Sequence, residues 1–283
     1  MSWREIDQSD LAWVEAFLRE HIQSSMFFLG NLDRFGLNSE TPRGLRVWAL
    51  EGDRPGLFGM GNNGFIMLQA PEATEADWQA TNAFWQERPI VGLCGDEPQA
   101  TAFMEMSGLN ARAASIREPE PGYRLSLDAM EMPDCAGFSL IPIAPDMQAL
   151  AQDWRADYNE AVMGLGKLTA VQAAKEEIQS YMERDSHRIL LRDGAPVAMT
   201  GFNATLSDVV QIGGVYTPPS LRGQGLARRA VALHLLEAQK AGVTQAILFA
   251  ASTAAARAYE AIGFQRNGSF TLALFADVEA HAG

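Results

Sequence analysis

A short loop, Arg222-Gly223-Gln224-Gly225-Leu226-Ala227, constrains what this chain can fold into more than any other stretch. It follows Val209-Val210-Gln211-Ile212-Gly213-Gly214-Val215-Tyr216, a β-branched apolar run that reads as a buried strand. Pro218 and Pro219 stop that strand, because proline cannot donate to a sheet ladder. After the loop, Leu226, Ala230, Val231, Leu233, Leu235 and Ala238 predict a mostly apolar helix, closed at Gly242. A strand, two glycines and a helix start make an anion site. The first N–H groups of the helix have no internal partner, the positive end of the helix dipole points the same way, and glycine admits close approach.

Spacing narrows the choice of anion. A P-loop needs Gly-Lys-Ser/Thr, which is missing here. A Rossmann turn needs a third glycine where this chain has Arg228, and an acid at the next strand tip, where Ile247-Leu248-Phe249-Ala250-Ala251 has none. What remains is Arg-x-x-Gly-x-Ala, followed by an apolar strand Ala246–Ala250 and a helix ending Ala258-Tyr259-Glu260-Ala261-Ile262-Gly263-Phe264. The loop resembles the acyl-CoA pyrophosphate loop of the GCN5-related N-acetyltransferase (GNAT) family. The Tyr-Glu-x-x-Gly-Phe ending is a second mark of that family at the right distance.

The rest of the chain repeats one order of elements. In the first half, helices are expected from Leu11 to Arg19 and near Met26 to Leu37, then a hairpin over Arg46–Leu50 and Gly56–Met60. A strand Phe65–Gln69, a helix Asp77–Gln86, a strand Ile90–Cys94, a helix Pro98–Met106 and an edge-like strand Tyr123–Leu127 follow. The second half echoes this with a strand Phe138–Ile141 and a helix Met147–Val162. Next comes a helix capped by Thr169, with Lys175 and Glu176/Glu177 on its wet face, and a hairpin around Asp193-Gly194. The central strand, the loop helix, strand 246–250, helix 252–262 and strand Phe270–Phe275 complete the echo. Such self-similarity predicts a tandem pair joined at Pro133 and Asp134. The expected fold class is α+β (mixed α/β): two GNAT-like domains, 1–133 and 134–283. Each is a mixed, mostly antiparallel twisted sheet flanked by helices, with the central strands splayed in the C-terminal copy. The first copy has no glycine loop between Gln69 and Asp77, and Met104 stands opposite Tyr259, so it reads as degenerate.

Charge divides along the same line, which this division, chance or an acid-rich proteome would each explain. Residues 1–133 carry ten Arg, no Lys and twenty Asp/Glu, a net −10, and residues 134–283 a net −3. A half that holds a polyanion is expected to be the less acidic one. The overall −13 speaks against a nucleic-acid surface. No apolar run reaches the length of a membrane helix, and the N-terminus is too polar for a signal peptide. Cys94 and Cys135 read as free thiols in a reducing compartment, the cytoplasm by default, and no His/Cys spacing suggests a metal.

The resemblance implies roles for particular residues. Arg222, Gly223, Gln224, Gly225, Leu226 and Ala227 would hold the CoA pyrophosphate. Gly213-Gly214 would bulge the strand, so that Val215, Tyr216 and Thr217 meet the pantetheine arm and an N–H near Val215 meets the thioester oxygen. Tyr259 is either a core tyrosine or the general acid, since a phenol with pKa near 10 stays protonated beside a departing thiolate. Ser252 stands where the family often has a cofactor-contacting asparagine, and it also suits a helix cap. The central strand offers Gln211 and no carboxylate as base. Glu160 could take that role, or it lies on a solvated helix face, while Trp154 and Tyr158 either pack or border the acceptor. His187 and His234 read as structural.

The expectation is therefore transfer of an acetyl group from acetyl-CoA, a co-substrate, to a small-molecule or peptide amine by direct attack. No metal, nucleic acid or membrane partner is expected, and a homodimer is left open. A non-catalytic acyl-CoA-binding or regulatory protein, and a tandem transferase of a larger acyl or aminoacyl group, are the alternatives.

Overall fold

The computed structural model describes residues 2–275. The chain forms two compact units, one made of Met1–Glu120 with the segment from Gly268 onward, the other of Pro121–Asn267. The expected domains also ran to Met1 and through 276–283, which lie outside the described residues.

The first unit contains β1 (Trp3–Glu5), α1 (Leu11–Glu20), α2 (Ile22–Phe35), β2 (Leu45–Leu50), β3 (Gly56–Gly61) and β4 (Phe65–Gln69). Then come α3 (Glu75–Ala80), α4 (Asn82–Trp85), β5 (Gly92–Asp96), α5 (Glu97–Ser107) and β6 (Ala114–Ile116). The second contains β7 (Glu120–Ser126), β8 (Phe138–Pro142), α6 (Gln148–Ala161), α7 (Lys167–Glu183), β9 (His187–Arg192), β10 (Ala195–Thr205) and β11 (Val209–Tyr216). It continues with α8 (Leu226–Lys240), β12 (Gln245–Phe249) and α9 (Thr253–Glu260), and the last strand is β13 (Gln265–Phe275).

The two units share one topology. The first orders its strands β1-β2-β3-β4-β5-β13, the second β8-β9-β10-β11-β12-β7. In each, the fourth and fifth strands of the order run parallel, β4 with β5 and β11 with β12, and the other described pairings are antiparallel. The fold is thus the expected mixed, mostly antiparallel pair.

One feature differs from expectation. The last strand of each sheet comes from the other half of the sequence. β13 pairs with β5, Leu272 opposite Cys94, and β7 pairs with β12, Leu248 opposite Tyr123. The units consequently divide the chain at Glu120/Pro121 and Asn267/Gly268, away from Pro133/Asp134. Alternation in Tyr123–Leu127 and Phe270–Phe275 specifies a buried face, but it does not name the neighbouring strand.

Other local differences have plain causes. The expected helix Asp77–Gln86 breaks at Thr81 into α3 and α4. Thr81 turns its hydroxyl onto the Trp78 carbonyl, 2.6 Å away, a local bond that competes with helix continuation. α7 begins at Lys167 after Gly166, so Thr169 lies inside its first turn and does not cap it. Lys175 and Glu176 are exposed as expected, but the half-buried Glu177 has partners on α6. Its carboxylate accepts from Arg155 Nε and Nη2 at 2.8 and 2.7 Å, and from Asn159 at 2.8 Å.

Tyr123, Leu125 and Leu127 pack in one cluster with Ile212, Leu235, Leu248 and Tyr259. A fragment of residues 134–283 lacks them and leaves the β12 edge unpaired. Such a fragment is expected to give no cooperative thermal transition. In the full chain, Leu125→Ala should cost about 2–5 kcal/mol in denaturant unfolding; a loss below about 1 kcal/mol would mean that β7 does not contribute to the core.

Candidate active site

The second unit opens where β11 and β12 part. Their parallel pairing joins Val209 to Gln245, Val210 to Ala246 and Gln211 to Ile247, and goes no further among the described residues. β12 stays paired with β7 along its whole length, so it is β11 that diverges. Against β10, Met199 faces Tyr216 while Gly201 faces Gly213, so β11 spends one extra residue there. This is the bulge expected at Gly213-Gly214, and Gly214 takes φ +62°, a value that favours glycine. The corresponding strands of the first unit stay zipped from Phe65–Gly92 to Leu68–Gly95. Beyond them, Gln99 Oε1 accepts the Ala70 N–H at 2.6 Å. Among the described residues, only the second unit's parallel pair diverges.

The loop lies at the start of α8. Gly223 and Gly225 take φ +79° and +69°, and Gly225 caps α8 with no side-chain hydrogen bond and no acid in the first turn. Arg222 donates from Nε to the Thr217 carbonyl at 3.0 Å. Arg229 Nη1 donates to the Gln224 carbonyl at 2.9 Å, and Arg192 donates to the Gln224 side chain at 2.8 Å. A side chain at Gly225 would meet Arg228 Nε at 2.9 Å, and that Nε is buried without a partner. Cations gather here at the positive end of a helix dipole, an arrangement unfavourable in itself. In the first unit, α3 fills its own N-terminus. Asp77 accepts from the Thr74 N–H at 2.8 Å and from its hydroxyl at 2.6 Å, and a salt bridge links it to Arg54 at 3.2 Å.

The remaining expected residues fall around these two features. Tyr259 is buried on α9 in the cluster that holds Ile212 and Leu248, the residues just past the last paired position. Val215 packs against the same cluster. Tyr216 is buried and donates from its hydroxyl to Asp157 at 2.8 Å. Burial, with that carboxylate, pushes the Tyr216 phenol up to about 12. Thr217 keeps a buried Oγ1 without a partner. Leu226 is buried and Ala227 half-buried in the first turn of α8. Ser252 accepts the Ala255 N–H at 3.2 Å and caps α9. Glu160 is exposed near the end of α6, one turn beyond Asp157.

Both cysteines are free, as expected, and Cys135 lies close enough to α8 to feel Arg229. Arg229 Nε donates to the carbonyl of neighbouring Asp134 at 2.7 Å. Burial nonetheless raises the Cys135 thiol, so it stays protonated and is a poor nucleophile.

The sequence reading passed over a buried polar group beside the bulge. His187 stacks on Tyr181 at 3.5 Å, and Ser186 Oγ lies 3.0 Å from its Nδ1. A side chain at Gly214 would meet His187 Nε2 at 2.7 Å and Arg155 Nη1 at 3.8 Å. Arg155 is almost fully buried. Burial works against its charge, but the Glu177 hydrogen bonds more than compensate and raise its pKa. Three strands must be in register before these residues meet, so no spacing in the sequence shows them.

A six-strand mixed sheet, a parallel pair that opens, and a glycine-led helix start beside the opening define the acyltransferase fold of the N-acetyltransferases. Residues 147–264 match the Acetyltransferase (GNAT) family, and this chain carries a domain of that family. Solved structures extend the likeness over the whole chain. A tandem GNAT protein from the clavulanic acid biosynthesis pathway gives a TM-score of 0.56 at 16% identity, covering 100% of this chain and 99% of that one. A Kribbella flavida GCN5-related N-acetyltransferase gives 0.58 at 18%, covering 90% and 94%. A Drosophila protein gives 0.66 at 13%, covering 98% and 99%. No curated protein matches the chain. Among the described residues, no helix is long and apolar enough to cross a membrane, and no group of His, Cys, Asp and Glu could hold a metal ion.

His187 and His234 both have depressed pKa values. Burial does most of this, aided at His187 by Arg155, Arg184, His234 and Arg188, and at His234, pushed down to about 3, by Arg188. The unfolded chain takes up protons at both rings below about 6.5, and the folded one does not. Stability is therefore full above that pH and falls below it, by up to about 1.4 kcal/mol per pH unit for each ring. Denaturant midpoints should drop between pH 7 and 5, and His234→Gln should remove about half of the histidine share of that drop. A variant whose midpoint falls as steeply as wild type would show that His234 titrates normally when folded.

Proposed function

We propose that the protein transfers an acetyl group from acetyl-CoA to an amine by direct attack, with the co-substrate held by the second unit alone. The observation that carries this reading is the cationic helix start. Arg228 and Arg229 crowd Gly225 at the head of α8, no acid answers them in the first turn, and Arg228 Nε has no partner. A pyrophosphate would relieve both the repulsion and the unmet donor, and the glycines leave room for it beside the backbone.

The N–H groups of Gly223, Gln224, Gly225, Leu226 and Ala227 are assigned to that pyrophosphate. Val215, Tyr216 and Thr217, on the diverging part of β11, are assigned to the pantetheine arm, with the N–H near Val215 aimed at the thioester oxygen. Ser252 already serves as a cap, so any contact it makes with the co-substrate is secondary. Tyr259 would protonate the leaving thiolate. Glu160, in water, could receive protons leaving the site. The amine acceptor is a small molecule or a peptide. The zipped β4–β5 pair and the self-filled α3 N-terminus support a first unit without a cofactor role.

One observation favours a second reading. β11 carries Gln211 and no carboxylate, as a protein that binds acyl-CoA without turning it over would allow. Calorimetry with acetyl-CoA, beside thiol release over a broad amine panel, separates the two. Transfer is expected, and binding without transfer to any amine would favour the sensor. Larger acyl-CoA donors in the same panel test the remaining alternative, which needs them to bind far more tightly than acetyl-CoA.

Arg228→Glu should weaken acetyl-CoA binding about 10–100-fold, the worth of a charge-assisted hydrogen bond. Tyr259→Phe should lower turnover about 100-fold with affinity unchanged. Unaltered turnover would remove Tyr259 as the acid, and unaltered affinity in the arginine variant would remove the pyrophosphate assignment.

A further inference from the structure

Nine buried side-chain polar atoms among the described residues lack a partner, and seven of them, from Asn159 to His234, belong to the second unit. Two lie on one face of its central strands. Val210 and Ile212 pack into the cluster with α8, so alternation turns Gln211 and Gly213 to the opposite face, where α6 and α7 pack. His187 pairs with Gly201, and Gly201 with Gly213, so the three form a row across the sheet on that face. The His187 ring is held flat between Tyr181 and Gly201, where a Cβ would lie 2.1 Å from it, and its Nε2 edge faces the Gly214 bulge. Gln211 Oε1 and His187 Nε2 are both unmet, and each side chain is only 1% exposed. Between them Gly213 is half-buried, with the side chain of the exposed Asn203 lying across it.

We propose that His187 Nε2 takes the proton of the attacking amine while Gln211 Oε1 accepts its other N–H. This rests on the acyl-transfer reading above. Two unmet acceptors on one face of the sheet, Gln211 at the last paired position of β11 and His187 facing its bulge, suit one donor with two N–H bonds, which is a primary amine. In the tautomer whose Nδ1–H donates to Ser186 Oγ, Nε2 presents its lone pair to the bulge. As the amine nitrogen bonds to the thioester carbon, its proton passes to Nε2. The C–S bond then breaks, the thiolate is protonated, and the imidazolium returns its proton to solvent. An amide and a free thiol result.

The surroundings also set the form of the base. Burial, with Arg155 on α6, Arg184 on α7, His234 on α8 and Arg188 on β9, keeps the ring neutral, while Tyr181 stacks on it. A neutral ring has its lone pair available at ordinary pH. Only an uncharged amine has the lone pair that attack needs, so amines of low basicity, uncharged at ordinary pH, suit the site.

The test compares wild type with His187→Gln, which fits the space and forms hydrogen bonds but carries no basic nitrogen. Primary amines spanning ammonium pKa values from about 5 to 10 are the acceptors, with acetyl-CoA affinity and thermal midpoint read in parallel. Turnover in the variant should fall about 100-fold or more with the more basic amines, whose protons are hardest to lose, and far less with the weakly basic ones. Acetyl-CoA affinity should stay within about threefold. Gln211→Leu should raise the amine KM about 10-fold, the loss of one buried hydrogen bond, without moving kcat to the same extent. An equal loss across all amines, or none, overturns the role of His187 and leaves acyl transfer standing. If His187→Gln does not fold, an unchanged amine KM in Gln211→Leu overturns the proposal. Wild type that binds acetyl-CoA and transfers to no amine overturns both readings.

Discussion

The second unit depends on a backbone pairing that stops. Past Gln211 and Ile247, β11 runs on through five residues with no described pairing to β12. A buried backbone group left unpaired costs about 1–3 kcal/mol, so a fold does not abandon a parallel ladder without other support. Here β10 holds the far side of β11, the bulge takes up the mismatch, and β7 holds β12 in place. The first unit shows what the same topology does otherwise. Its parallel strands remain joined, and Gln99 reaches across to satisfy the next N–H.

Electrostatics separates the units in the same sense. Each has a helix after the fourth strand of its order, and each helix start must satisfy the same orphan N–H groups. α3 does so with its own Asp77 and Thr74, which leaves nothing for a ligand. α8 has a glycine in place of a cap and arginines in place of acids. A helix start so arranged is less stable alone and receptive to an outside anion. The two differences, an open ladder and an unfilled dipole, occur in the same unit next to the same strand. That coincidence supports a ligand-binding account better than either feature does separately.

Much of this was legible in the sequence because the relevant signals are local. Glycine pairs fix where a strand bulges, the loop fixes a helix start, and the alternation and helical periods fix the order of elements. What was missed involves partners far apart in the chain. Glu177 looked like a solvated residue beside Lys175, yet its partner Arg155 is on another helix. Thr169 looked like a cap, but Gly166 starts the helix earlier. The strand exchange leaves no mark, since β7 and β13 carry similar patterns and either would suit either sheet. His187 was set aside as structural because nothing in the sequence brings it to Gly201 and Gly214.

The exchange bears on why a chain without a loop in its first half keeps that half. Residues 121–127 are contiguous with the first unit in sequence but belong to the core of the second, where Tyr123 and Leu125 pack with Leu248 and Tyr259. Opening β12 on one side is tolerable only if its other side is firmly paired, and β7 provides that pairing from Gln245 to Phe249. Likewise β13, which follows the second unit's Gly263 turn, closes the first unit's sheet along β5. Neither unit can complete its sheet from its own half of the chain. The pairing that fixes β12 beside the diverging β11 thus comes from a segment of the first half of the chain, which gives that half a structural use.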